Sequence, residues 1–119
     1  MPGLSIKNAN RFALLRKLCA EGLTKVNAAR RDARAAGQFD EDKALVAHRE
    51  AIIDEMVRID EAEDAFERSA LSVAEAEKRL KGAVSAAKAA VEAMAGVVRT
   101  LEKLAEILRV LRGLATLFG

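Results

Sequence analysis

In 119 residues the chain has one cysteine, one proline, one histidine, no tryptophan and no tyrosine. Each scarcity excludes something. A lone Cys19 cannot form an internal disulfide, which rules out a disulfide-stapled scaffold. The single proline is Pro2, so no ring interrupts a helix further on. β-Branched residues never alternate with polar ones over a strand's length, so a β fold has little support. The first residues, Met1 to Lys7, lack both the apolar core and the cleavage pattern of a secretory signal. No stretch approaches the ~18–20 uncharged apolar residues of a spanning helix. The expected compartment is cytoplasmic, with leaderless export or a phage particle as the other possibilities.

What is abundant is alanine, leucine, glutamate, lysine and arginine. Hydrophobic residues make up 51% and charged residues 32%. That mixture favours long helices. The length suits a single domain, residues 1–119. The expected fold class is all-α: an antiparallel helical bundle or long helical hairpin of two to three helices, packed through heptad, coiled-coil-like seams.

The net charge of +2 hides an uneven layout. Residues 1–37 carry eight Lys/Arg against two acids, and residues 38–81 carry seven against thirteen. Residues 82–119 return to a slight positive excess. A basic first helix laid antiparallel to an acidic second would neutralise both.

Helix one is expected over about 5–37, capped by Ser5 or Asn8. Phe12, Cys19, Val26 and Ala33 recur every seven residues, with Leu15, Gly22, Ala29 and Ala36 as companions. That is one helical seam. Gly37 suits the left-handed residue that ends a helix. A turn over 37–40 follows, with Asp40 as the next N-cap and Phe39 folded onto Ala44 as a hydrophobic staple.

From residue 41 the division is ambiguous. Leu45, Ile52, Ile59, Phe66, Val73, Leu80, Ala87, Met94, Leu101, Leu108 and Ala115 form an unbroken apolar heptad row. A chain reversal would normally reset that phase, which favours one continuous helix of about 75 residues, ~110 Å long. Against this, Ser72-Val73-Ala74-Glu75 has the form of a capping box preceded by Leu71, and Gly82 is a soft position. A break near 69–72 or 80–83 gives three helices, the last running to about 118.

Candidate chemistry is sparse. Cys19 lies on an apolar seam and reads as a small buried hydrophobe. His48 has no companion ligands, so no metal or cofactor is expected. The acidic run around Asp54, Glu55, Asp60, Glu61, Glu63, Asp64 and Glu67 lacks the turn glycine of a calcium loop and reads as a solvated face complementing helix one. Gly82, Ala86 and Ala90 suggest a close helix contact outside a membrane. No phosphate loop, triad or carboxylate pair is present, so the chain is not expected to be an enzyme with a small-molecule substrate.

The last helix is the most informative feature. Val97, Leu101, Leu104, Leu108, Leu111, Leu114, Leu117 and Phe118 lie on a surface apolar around well over half its circumference. Helix one, mostly alanine in its far half, is expected to be too slight to cover it. The expected function is therefore a non-enzymatic structural or interaction protein, a homo-oligomer or one that docks a helical partner through these eight residues. A second expectation is a membrane-active protein that releases this amphipathic helix. A third is nucleic-acid binding, with polyanion contacts from Arg11, Lys17, Arg30, Arg31 and Arg34.

Overall fold

The computed structural model describes residues 4–118, leaving aside the side chain of Ala115, whose place in the heptad row therefore lies outside the described residues. Five helices follow in order: α1 Ile6–Ala35, α2 Phe39–Glu55, α3 Val57–Glu67, α4 Val73–Glu92 and α5 Gly96–Leu117. There is no strand among the described residues.

The start of α1 is fixed by Ser5, whose hydroxyl accepts from the Asn8 amide at 3.2 Å. Its end is a Schellman turn. The Gly37 amide donates to the Arg34 carbonyl and the Gln38 amide to that of Ala33, with Gly37 at φ 72°. Helix α2 then begins earlier than expected. Gln38 is its flanking residue, its carbonyl accepts from the Asp42 amide at 3.0 Å, and Asp40 lies inside the first turn with Glu41 and Asp42. Phe39 is 63% exposed and forms no staple. The carboxylates favour the helix start through its dipole, without a side-chain cap.

Helices α2 and α3 make one rod, interrupted at Met56. There the Ile59 amide turns back to the Met56 carbonyl at 3.0 Å, a tightened turn. The chain then reverses across 68–72. Ser72 caps α4 by accepting from the Glu75 amide at 3.2 Å. The Glu75 carboxylate bonds Arg79 at 3.0 Å, so only half of a capping box forms. Gly82 interrupts nothing. The last reversal falls instead at 93–96, around Gly96 at φ 72°.

Two reversals thus lie within the heptad row. The row survives because each helix needs a buried residue every turn or two, and because the connections happen to keep step. Its fault shows at Val73, which is 51% exposed just after the first reversal. The continuous helix is excluded. The bundle has four rods, where two or three helices were expected.

Helices α1 and α5 pack on each other and on both other rods, whereas the α2–α3 rod and α4 lie on opposite flanks of that central pair. The directions alternate up, down, up, down. Asn8 meets Glu77 and Lys25 meets Val91, so α1 and α4 run parallel. Arg16 meets Asp60 and Arg30 meets Asp42, so α1 and the α2–α3 rod are antiparallel. The result is 53 × 20 × 17 Å. One continuous core runs its length, from Phe12 and Phe66 through Leu104 and Leu111 to Ala33 and Leu45.

At one end Phe12, Phe66 and Phe118 meet edge to face, with ring centroids 5.2–6.2 Å apart. Such pairs add about 0.5–1.5 kcal/mol each beyond the area they bury. The connection 68–72 crosses from flank to flank at this end, with Ser69 buried. At the other end lie the α1–α2 and α4–α5 turns.

Candidate functional site

The eight residues singled out on the last helix are placed mainly inside the molecule. Leu104, Leu111, Leu114 and Phe118 are at most 1% exposed, and Leu108 is also buried. Val97, Leu101 and Leu117 are half-buried against the same core. This corrects the expectation that α5 lacks cover within its own chain. A bundle of three helices leaves two neighbours for the last one, whereas α5 has α1, α4 and the α2–α3 rod around it. Releasing α5 to a membrane would wet the inner faces of α1, α4 and the α2–α3 rod, at about 1.5–3 kcal/mol for each fully buried large side chain left behind. No described helix is long and apolar enough to cross a membrane.

The candidate polyanion contacts are divided. Arg30 and Arg34 both bond the Asp42 carboxylate, at 2.8 and 3.1 Å. Hydrogen bonding from Arg30 holds that carboxyl below its usual range. Arg11 donates to Asn8 Oδ1 at 2.6 Å, and Asn8 Nδ2 donates to Glu77 at 3.0 Å. Asn8 is itself buried, so this trio fixes the register of α1 on α4. Lys17 and Arg31 are exposed and enter no ion pair among the described residues. Arg16, outside the candidate set, binds Asp60 and Glu63; their hydrogen bonds outweigh its partial burial and raise its pKa.

Two further cations close helix ends. Lys25 Nζ donates to the Val91 carbonyl at 2.7 Å, and Arg79 to the Leu117 carbonyl at 2.9 Å. Neither α4 nor α5 has a basic residue in its own last turn, so both termini are satisfied from a neighbouring helix.

Cys19 is 1% exposed, and burial pushes its thiol up to about 11. That is the reverse of what a nucleophilic thiol needs. His48 Nδ1 meets the Ala44 carbonyl at 2.8 Å, on an open groove between α2 and α5 with Ala51, Leu108 and Arg112. Among the described residues no group of His, Cys, Asp and Glu could hold a metal ion. The small residues of α4 do not form one contact: Ala90 is buried, while Gly82 and Ala86 face outward.

Another concavity is at the end opposite the phenylalanines. It is a shallow depression of about 560 Å³ lined by Gln38, Ala95, Gly96, Val97, Val98, Arg99 and Glu102. Val98 is 66% exposed on its wall, and Phe39, next to Gln38, is 63% exposed. Sequence reasoning missed this place. The staple reading places Phe39 against Ala44, and nothing in the sequence marks where α5 begins, which leaves Val98 one of many apolar residues there. Comparison of the chain with family models, curated proteins and solved structures found no match.

Proposed function

We propose that the chain is a non-enzymatic interaction module, which self-associates or docks a helical partner at the end carrying the α1–α2 and α4–α5 turns. The supporting observation is the exposure of Phe39 and Val98 at this end. Both are large and more than half exposed; Val98 lines the depression, and Phe39 directly follows Gln38, which also lines it. The core has ample apolar material without them, so folding does not demand them. Exposed aromatic and aliphatic residues around a hollow suit a protein contact. The participation of α5 is narrowed to its first turn, Val97 to Leu101.

The test is sedimentation velocity on the wild type and on a Phe39→Ser/Val98→Ser variant, with circular dichroism to show that the fold is kept. Wild type is expected to sediment above the monomer mass at micromolar concentration, and the variant to shift towards monomer. For the partner mode, fluorescence anisotropy with a labelled amphipathic helical peptide should show binding that the variant loses. A wild type that stays monomeric and ignores the peptide defeats the reading.

A further inference from the structure

We propose that the outward face of the α2–α3 rod binds the outward face of α4 on a second copy, so that molecules join head to tail. It shares with the reading above only the premise that the molecule associates. The surfaces are different.

The two faces lie on opposite flanks of the α1–α5 pair, so they point away from each other in one molecule. On α2–α3, Ile53 and Val57 stand one turn apart, 50% and 52% exposed. Exposed carboxylates flank them: Glu50, Asp54, Glu61 and Asp64. On α4 the corresponding strip is smooth and basic. Gly82, Ala86 and Ala89 are exposed along its middle, with exposed Lys78, Lys81 and Lys88 along one side, Glu75 held by Arg79 at the start and exposed Glu92 at the end. None of the three lysines, nor Asp54 or Asp64, enters an ion pair among the described residues.

Within that strip, Gly82 is unexplained by the chain's own packing. A Cβ placed there would meet no atom within 4 Å, and its backbone is ordinary helix. Nothing within the chain asks for glycine at a place where it weakens the helix. A neighbouring helix brought close to α4 would ask for it. One face therefore offers two aliphatic knobs bordered by carboxylates, and the other a low strip bordered along one side by ammonium groups. Relief and charge both match, which names a second copy of this chain as the occupant. Because the two surfaces differ, the contact is heterologous and can repeat into open chains.

The experiment uses two charge-reversed proteins, each checked for folding by circular dichroism. One carries Glu50→Lys, Asp54→Lys and Asp64→Lys; the other carries Lys78→Glu, Lys81→Glu and Lys88→Glu. Each alone is expected to lose self-association in sedimentation velocity, since both of its faces then carry one sign. Mixed in equal amounts they should associate again. Gly82→Leu should keep the fold and block assembly. Wild-type assembly should weaken between about 0.1 M and about 1 M salt, as the screening length falls from ~10 to ~3 Å. Overturning results are reversed proteins that associate like wild type, a mixture that stays monomeric, or a monomeric wild type at low salt. If association ignores the reversals but disappears in Phe39→Ser/Val98→Ser, this contact is wrong and the proposed function stands. The opposite pattern supports this contact and removes the turn-end surface.

Discussion

At the residue scale, burial decides what Cys19 and Phe118 do. Cys19 was legible as a core residue because it shares a seam with Phe12 and Val26, and it is buried beside them. Its thiol should resist thiol-specific reagents at about pH 8 in the folded protein and react only on unfolding. Its titration also couples to stability. The folded value of about 11 lies above the ordinary 9.0, so the unfolded chain ionises first as pH rises. Stability from this group is intact below pH 9.0 and is lost towards about 11. Denaturation curves of wild type should fall relative to Cys19→Ala across that window; parallel curves would show that the thiol is solvated. Phe118 was not legible. Its burial depends on Phe12 and Phe66, each more than fifty positions away in sequence, so its neighbours along the chain do not mark it as core. Phe118→Ala should cost about 3–5 kcal/mol in chemical denaturation, as for other buried aromatics. A change below about 1 kcal/mol, the level of surface substitutions, would mean that the aromatic cluster is not formed in solution.

At the element scale, the legible parts were those written in local chemistry. Ser5, Gly37 and Ser72 carry their meaning in one or two hydrogen bonds, and α1 and the reversal at 68–72 follow from them. The turn at 93–96 has no such cap. Ala95 precedes α5 with no side-chain bond, and Gly96 sits in a stretch where glycine and alanine also occur within helices. Gly82 and Gly96 looked alike in sequence, and the structure separates them. Gly82→Ala should stabilise by about 0.5–1 kcal/mol, because the backbone is helical and the space is open. Gly96→Ala should destabilise by about 1–2 kcal/mol, because φ is 72° although the space is equally open. Urea denaturation of both variants checks the pair, and equal signs would place the turn elsewhere.

At the scale of the whole molecule, the charge asymmetry was legible and the helix count was not. Basic α1 does lie against acidic α2 and α3, tied by Arg16 to Asp60 and Glu63 and by Arg30 and Arg34 to Asp42. The fourth rod was hidden because a chain half apolar can keep a seven-residue phase across a turn. Its presence changes what α5 can do. Leu104, Ile107, Leu111 and Leu114 share one core with Phe12, Leu15 and Val26 of α1, without a boundary between them. Opening α5 alone would expose the inner faces of α1, α4 and the α2–α3 rod together, at a cost comparable to unfolding. Amide hydrogen exchange should therefore give residues 104–111 the same opening free energy as residues 15–26, equal to the global value from denaturation. Leu111→Ala should lower both sets together, by about 2–5 kcal/mol. Exchange of 104–111 several kcal/mol easier than that of 15–26 would identify α5 as a separable element, and only then would release of this helix to a membrane regain a physical basis.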